Sequence, residues 1–255
     1  MLTGEYMSEK SSLNEQSSLG EWVGGVIGRA RVLERLGLDY CCGGRKALDE
    51  ACREKGLEVT DVIKQLTDTD PGELFASDLE WEDPSLDKLC DHIEATHHAY
   101  LKQNLPGLQA VLTKVINAHG AGHPELGRLQ TVFRSFEQEV SAHLAKEEQV
   151  LFPIIREMVT STGPVSFHCG SVANPIRVME YEHDNAGSAL AAMRSLTSDY
   201  EMPADGCGTY KLLLDGLKQL EQDMHLHVHK ENNILFPRVI ALECQRVGCG
   251  TGACS

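Results

Sequence analysis

The chain has 255 residues, 42% of them hydrophobic, and a formal net charge of −15 from 38 acidic and 23 basic residues. This length is sufficient for one sizeable hydrophobic core with a small companion domain. The acidic balance disfavours nucleic acid as a partner because a polyanion is repelled, and no apolar run approaches the roughly 20 residues that cross a bilayer. We therefore expect neither nucleic acid nor a membrane as a partner.

The N-terminal segment 1–18 is polar and is predicted to be flexible. It begins "MLTGEYMSEK", without the basic start and apolar stretch of a secretory signal. Nine cysteines in a chain without such a signal favour reduced thiols over a disulfide framework. Both observations predict a cytoplasmic protein.

Residues 19–66 contain short helical patterns around "LGLDYCCGGRKAL" and are predicted to form a small helical domain. Cys41 and Cys42 precede two glycines and a helix that we expect to begin near Arg45. A helix N-terminus with Arg45 and Lys46 nearby would lower the thiol pKa, and a disulfide between adjacent cysteines would be strained and easily reduced. We predict that Cys41 and Cys42 serve as a soft ligand pair or a redox relay; the alternative is a tight turn with two small buried residues.

The segment 67–84 is acidic, contains Pro71 and Pro84, and is predicted to be a linker with the domain boundary near residue 80. Residues 85–242 hold four long helical patterns, separated by the breaks "HGAGHP", "STGPVSFHCG" and "EMPADGCG". Short connections between amphipathic helices favour antiparallel neighbours, so the predicted fold is all-α, an antiparallel four-helix bundle preceded by the small helical domain. The cysteine-containing tail 243–255 is expected to be irregular and exposed rather than metal-binding.

Polar residues interrupt the apolar stripe of the second bundle helix. The stripe takes alternating steps of four and three residues through Leu129, Phe133, Phe136, Val140, His143, Glu147, Val150 and Ile154. His143 and Glu147 therefore occupy positions where the pattern favours leucine. Both side chains are expected to point into the core.

The other three bundle helices show the same interruption. His227 and Glu231 lie on the stripe of the fourth helix, and His183 lies on that of the third. Extending the stripe of the first helix backward reaches His98, with His97 close enough in angle to remain a candidate. His225 and His229 form a separate pair on another face of the fourth helix, which we expect to be exposed to solvent.

An internal repeat favours His98 over His97. The interval from His143 to His227 equals the interval from Glu147 to Glu231, and "LFP" recurs after the same interval. The interval from His98 to His183 is longer by a single position, and each of these histidines is followed seven residues later by leucine. The chain therefore contains two helix pairs, each with one lone histidine and one His-x-x-x-Glu motif.

Two carboxylates and four imidazoles buried without partners would cost several kcal/mol per ion. A hydrogen-bonded His–Glu network is the structural alternative, but two matching sets favour metal binding. Nitrogen and carboxylate ligands on facing bundle helices are typical of dinuclear iron or manganese sites, whereas zinc usually takes about four ligands. Four imidazoles, two bridging carboxylates and an oxo or hydroxo bridge would leave roughly one open position per metal, suited to O2 or NO. The "LFP" segment is expected to close its helix with a proline kink.

The combination of "DYCCGG" with a bundle carrying "HLAKEEQVLFP", "VMEYEHDNAG" and "HKENNILFP" resembles the iron-sulfur cluster repair di-iron proteins, also called repair of iron centres proteins. The resemblance covers residues 19 to about 242. It implies a non-haem di-iron centre with four histidines and two bridging glutamates, at the matching positions His98, His143, Glu147, His183, His227 and Glu231. It also implies homodimers and repair of clusters damaged by oxidative or nitrosative stress. The tail cysteines Cys244, Cys249 and Cys254, and "FHCG", depart from the family pattern.

Three functions follow as hypotheses. The first is a stress-response protein that donates iron to damaged iron-sulfur proteins. The second is a redox enzyme that reduces NO at the open metal positions, which leaves enzymatic activity an open question. The third is a hemerythrin-like carrier or sensor of O2 or NO, which leaves the N-terminal cysteine domain unexplained.

Overall fold

A computed structural model describes residues 13–24, 26, 28–69, 84–161 and 170–247. The chain divides into two compact units, Met1–Leu79 and Glu80–Ser255. Most of the predicted flexible segment 1–18 and linker 67–84 lies outside the described residues. The same holds for "FHCG" and for Cys249 and Cys254 of the predicted tail.

The described part of the first unit contains four short helices: α1 (Leu19–Gly24), α2 (Gly28–Arg35), α3 (Leu48–Lys55) and α4 (Val59–Thr67). Its core is formed by Leu19, Trp22, Leu33, Tyr40, Leu48 and Leu66, all at most 1% exposed. Cys52 is also buried here, as its helical pattern suggests. Gly56 ends α3 in the left-handed conformation, where its N–H reaches carbonyls of the last turn.

The second unit is built from four helical rods. The first rod joins α5 (Leu86–Ile93) and α6 (Ala99–His119), the second α7 (Glu125–Lys146) and α8 (Phe152–Thr160), the third is α9 (Ala173–Leu196), and the fourth joins α10 (Gly208–His229) and α11 (Phe236–Val247). α6 packs on α7, α7 on α9, α9 on α10, and α10 on α6, which closes the bundle. The described residues form no strand, only one isolated bridge between Ser18 and Ala47. The all-α prediction is confirmed.

Three of the rods contain a π-helical segment: π1 (Glu94–His98), π2 (Glu147–Leu151) and π3 (Lys230–Leu235). The second and third of these are followed by Phe-Pro, so each proline lies in the first turn of the next α-helix, where its missing N–H is tolerated. The expectation that "LFP" closes its helix is therefore wrong. The second rod continues helically to Thr160.

The fourth rod also extends further than expected, to Val247 rather than residue 242. Glu243 explains this extension, because its carboxylate accepts hydrogen bonds from the Ser171 hydroxyl and the Val172 backbone N–H. The first residues of the predicted irregular tail are therefore helical, and they hold the start of α9.

Apolar residues from all four rods pack below the polar interruption of the stripes. This cluster includes Leu89, Cys90, Ile93, Phe152, Ile155, Ile176 and Phe236, each at most 1% exposed. Within the described ranges, none of the helices is both long enough and apolar enough to span a bilayer. This apolar cluster packs rigidly beneath the polar side chains and excludes water from that side of them.

Candidate metal centre

The six residues selected from the sequence are buried together inside the bundle. His98, His143, Glu147, His183, His227 and Glu231 are each at most 4% exposed. They form two groups whose candidate ligand atoms all lie within 4.8 Å of one another. One group contains His98 and His227, the other His143 and His183, and both glutamates belong to each group.

The inward-facing atoms are the Nε2 nitrogens of the histidines. Nε2 of His98 and Nε2 of His143 each lie 3.3 Å from Glu147 Oε2. Nε2 of His183 is 3.0 Å from Glu231 Oε2, and Nε2 of His227 is 3.0 Å from Glu231 Oε1. Each carboxylate therefore lies between two imidazoles, the position from which it could bridge two cations.

The π-helical segments coincide with these ligands. His98 ends π1, Glu147 begins π2, and Glu231 is the second residue of π3. π-helical turns within α-helices are rare and concentrate at functional sites. The change of backbone register also shifts the buried positions that follow: Leu151 and Ile155 are buried, whereas Val150, which the sequence pattern placed on the apolar stripe, is 51% exposed.

Three of the four histidines are oriented by hydrogen bonds at Nδ1. His98 Nδ1 is 2.8 Å from Glu148 Oε1, and His143 Nδ1 is 3.0 Å from Glu182 Oε2. His183 Nδ1 is 2.8 Å from Asn232 Oδ1. Because a carboxylate or amide oxygen accepts, Nδ1 carries the proton in each ring, and Nε2 keeps a lone pair for a metal.

Lysines pair with the two outer carboxylates. Lys102 Nζ is 2.6 Å from Glu148, and Lys146 pairs with Glu182. Both glutamates have a lowered pKa: burial opposes the shift, but the bonded lysine and histidine outweigh it. They therefore remain carboxylates that can accept from the ligand imidazoles.

The repeat extends to this outer layer but fails at His227. Glu148 and Asn232 are separated by the same interval as Glu147 and Glu231, and they hold His98 and His183 respectively. The repeat that pairs His98 with His183 also pairs the residues before them, His97 and Glu182. His97 stacks on His227, with ring centroids 5.4 Å apart, instead of accepting a hydrogen bond from it. Among the described residues, His227 Nδ1 has no hydrogen-bond partner. The two metal positions thus have unequal surroundings.

A second buried polar cluster borders His227. Lys230 Nζ lies 2.9 Å from His92 Nε2 and 3.0 Å from His97 Nε2, and His97 Nδ1 lies 2.9 Å from Asp223 Oδ1. Burial and the charge of Lys230 lower the pKa of His92 and of His97 to about 3. Both imidazoles are therefore neutral, and the lysine donates to them.

The six inward groups fit a pair of cations better than a hydrogen-bonded network. His98 Nε2, both carboxylate oxygens of Glu147, and Glu231 Oε2 are buried and lack a partner with hydrogen-bond geometry within the described chain. Burial, followed by the charge of Glu231, raises the pKa of Glu147 well above its ordinary value. Burial, followed by His183, lowers the pKa of His143 to about 4. Burial also lowers the pKa of His227. Neutral imidazoles beside a carboxyl group whose ionisation burial disfavours, as at Glu147, are the state that a cation relieves.

A cavity of about 240 Å³ reaches one of the two positions. His143 and His183 line it, together with Lys146, Glu182, Tyr181 and Met224. Tyr181 is 67% exposed, so the cavity wall continues to the protein surface. The position served by His143 and His183 is therefore accessible to small solutes.

Cys41 and Cys42 lie in a turn of the first unit, not at a helix start. The following helix begins at Leu48, and the Asp39 carboxylate accepts the backbone N–H groups of Cys41, Cys42 and Gly43. The two Sγ atoms lie 3.9 Å apart, too far for a disulfide bond. The expected lowering of the thiol pKa is wrong for Cys41, whose pKa is raised by the hydrogen bond with Cys42 and by burial.

Two other sequence expectations have clear outcomes. His97 is buried but outside both ligand groups, which agrees with the choice of His98. His229 was expected at the surface but is 2% exposed, because α5 and π1 pack against this end of the fourth rod. The outer residues Glu148, Glu182 and Asn232 were missed, although each adjoins a ligand in the sequence and the repeat pairs the first with the third.

Two known domains match the chain. Residues 91–239 match the Hemerythrin HHE cation binding domain, and residues 15–70 match ScdA_N, a domain of unknown function. A probable iron-sulfur cluster repair protein of Haemophilus influenzae is 35% identical over 88% of this chain and 97% of its own length. The chain belongs to the hemerythrin-like iron-sulfur cluster repair family.

Further members of this iron-sulfur cluster repair family are similarly related. The iron-sulfur cluster repair protein YtfE of an Enterobacter species is 32% identical, and that of Escherichia coli O157:H7 is 33% identical. Each alignment covers 88% of this chain and 97% of the relative. The family resemblance inferred from the sequence motifs is thereby confirmed, and the cation-binding domain contains all six buried residues.

Proposed function

We propose that this protein repairs damaged iron-sulfur clusters by supplying iron that it stores in the bundle. The curated relatives are iron-sulfur cluster repair proteins over nearly their whole length. The observation that carries the proposal is the buried set of six ligands, two metal positions sharing two carboxylates. Nitrogen and carboxylate ligands suit iron, and dinuclear sites in helical bundles are built in this way.

In the proposed centre, His98 and His227 would hold one iron ion, and His143 and His183 would hold the other. Glu147 and Glu231 would offer ligand atoms to both ions. With about six positions per metal, this arrangement leaves room for a small diatomic such as O2 or NO. The bound pair would supply Lewis acidity and one-electron chemistry.

Protein groups prepare this site for iron and for its release. The Nδ1 hydrogen bonds hold three imidazoles with Nε2 turned inward, so little reorientation is needed on loading. The cavity beside His143 and His183 offers a path through which iron leaves as cargo. Glu182 and Lys146 line that path and carry opposite charges, so the carboxylate can attract a cation that is already partly desolvated.

We further propose that the cysteine pair of the first unit receives or hands on iron. Cys42 is partly exposed, and Asp39, Cys41 and Cys42 offer ligand atoms within 4.8 Å of one another. Thiolates are soft ligands that bind iron well. The high pKa of Cys41 implies that its proton leaves only when a cation arrives. We place this activity in the cytoplasm and expect a homodimer.

The test is reactivation of a dehydratase whose cluster has been damaged by peroxide. Anaerobic protein loaded with iron should restore more activity than the same amount of free iron. Glu147→Ala should reduce the iron content to about one ion per chain or fewer and lower the recovery accordingly, whereas the matched variant His225→Gln, on the same rod as His227 but outside the ligand set, should retain both. Recovery equal to that given by free iron would contradict donation.

A second candidate function is reduction of NO at the same centre, which is favoured by the cavity leading to His143 and His183. The test is gas-phase measurement of N2O after repeated additions of NO to the reduced protein. Continued production would support turnover. A single stoichiometric release would exclude it and leave NO or O2 binding, as in a carrier or sensor.

A further inference from the structure

A cysteine–histidine pair lies at the opposite end of the bundle from the candidate metal centre. His119 is the last residue of α6, whereas His98 directly precedes that helix. Cys207 directly precedes α10, and His227 lies near its end. At 1.5 Å per residue, about 30 Å of helix separates the pair from the metal ligands.

The geometry of the pair is that of a nucleophile and its proton acceptor. Cys207 Sγ is 3.2 Å from His119 Nε2, and Cys207 is exposed. The His119 ring is held in place by edge contacts with Tyr210 and His123, at centroid distances of 5.4 and 6.2 Å. A thiol within hydrogen-bond reach of an oriented imidazole is the arrangement that activates cysteine.

The charges around the pair favour the thiolate. Hydrogen bonding to His119 and the backbone N–H groups of Tyr210 and Thr209 lower the pKa of Cys207 to about 7. The carboxylates Glu125 and Asp205 are both bonded to His123, at 2.7 and 3.0 Å. These contacts direct both carboxylates at the His123 ring rather than at the sulfur.

Three other cysteines of the described chain are less suited to nucleophilic attack. Cys41, Cys52 and Cys90 are buried. Hydrogen bonding with Cys42 and burial raise the pKa of Cys41, and burial raises that of Cys52 and of Cys90. Cys207, in contrast, is exposed to solvent and has an imidazole next to its thiol.

We infer that Cys207 is a modification site that forms a mixed disulfide with small-molecule disulfides, and that His119 carries the proton of the exchange. The Cys207 thiolate attacks one sulfur of the disulfide, so that a new S–S bond forms as the old one breaks. The leaving thiolate takes a proton from the His119 imidazolium. The disulfide is the oxidant, Cys207 is oxidised, and the released half is reduced to a thiol.

The expected rate effect can be derived from ionisation and nucleophilicity. At pH 7 a thiol of pKa about 7 is half ionised, whereas one at the ordinary value of 9.0 is about 1% ionised. The less basic thiolate is about tenfold less nucleophilic for a Brønsted slope near 0.5. The net gain from the lowered pKa is therefore about fivefold at pH 7, which is an upper bound on the share due to His119, and the effect reverses in strongly alkaline solution.

The experiment uses the full-length, iron-loaded protein and bis(2-hydroxyethyl) disulfide, which is neutral and so insensitive to nearby charges. Mass spectrometry of peptides follows the adduct on Cys207 between pH 6 and pH 10. In His119→Gln the rate should fall at pH 7, by up to about fivefold, and rise above that of the wild type at pH 10. Cys207→Ser should lose the adduct on this peptide.

The crossing of the two pH profiles separates a chemical role from structural damage, because a distorted loop would change the rate in one direction at every pH. Iron content and thermal stability of His119→Gln should match those of the wild type. Absence of the adduct on Cys207, or parallel profiles for the two proteins, would overturn the inference. The result does not depend on the proposed repair activity.

Discussion

The Nε2 atoms of His143 and His183 lie 3.1 Å apart, although the two residues come from different helices and different halves of the repeat. Nδ1 of each ring is already bonded, to Glu182 and Asn232. Both rings therefore direct a lone pair to the same space. This is the relationship expected of two ligands of one cation.

The first prediction separates metal binding from stability. Glu147→Gln should reduce bound iron from about two ions per chain to about one or fewer, because a bridging carboxylate is lost. In the metal-free protein the same substitution should leave the melting temperature unchanged or raise it, because it removes a fully buried carboxyl group whose pKa burial has raised. Iron analysis and calorimetry measure the two effects, and a lower melting temperature of the metal-free variant would contradict the second.

The second prediction concerns the unequal surroundings of the two metal positions. We expect iron to leave in two phases when a chelator is added, because three ligand histidines have an Nδ1 partner and His227 stacks on His97 instead. Removing such an outer partner typically weakens metal affinity by about 10- to 100-fold. Glu182→Gln should therefore accelerate one phase by about this factor.

Restoring the partner gives the matched control for that experiment. His97→Glu places a carboxylate next to Lys230, in the same relation that Glu182 has to Lys146. It should slow the faster phase of iron loss in otherwise wild-type protein. A single phase in the wild type, or no change in either variant, would contradict inequivalent positions.

The third prediction tests the turn that carries the cysteine pair. A Cβ atom at Gly43 would lie 2.9 Å from the Asp39 backbone oxygen. Gly43→Ala should therefore destabilise the first unit by about 2 kcal/mol and increase the alkylation rate of Cys41. Gly24→Ala is the control, since a Cβ there meets nothing within 4 Å. Equal alkylation rates in the two variants would be evidence against a rigid turn.

The fourth prediction concerns pH. Hydrogen bonds to Glu125 and then Asp205 raise the pKa of His123 above 6.5, so the folded protein binds this proton more tightly than the unfolded chain. The resulting stabilisation is fully present below about pH 6.5 and is lost as the pH rises through the folded-state value. His123→Gln should therefore lower the melting temperature more at pH 6 than at pH 9. Asp205→Asn should show part of the same dependence, and a pH-independent difference would refute the assignment.

The buried polar set was predictable from the sequence because each ligand replaces an apolar residue on a helical stripe, as His143 and Glu147 do. The interval of the internal repeat was sufficient to prefer His98 over His97. Periodicity carries no information on which histidines share a metal position, because that depends on the packing of α7 against α9 and of α6 against α10. The sequence pattern was therefore sufficient to propose the six residues as ligands. Their division between two metal positions required the folded structure.

Other features were not predictable for local reasons. The π-helical segments change backbone register without a distinctive composition, so "LFP" was mistaken for a helix end. His229 lies off the stripe, but a second buried face exists where α5 covers the rod. The turn at Cys41 is fixed by Asp39, two residues earlier, whereas the cationic residues that follow suggested a helix start.

Each candidate metal position takes one imidazole from the first helix pair and one from the second: His98 with His227, and His143 with His183. A shorter chain with only one helix pair would contain two of the histidines and one of the glutamates. It could not complete either metal position by itself. Two copies of such a chain, related by a twofold axis, would reproduce both. A single chain that holds both pairs can differ between its halves: His97 stands where the repeat would place a carboxylate like Glu182, a difference that two identical copies could not confine to one position.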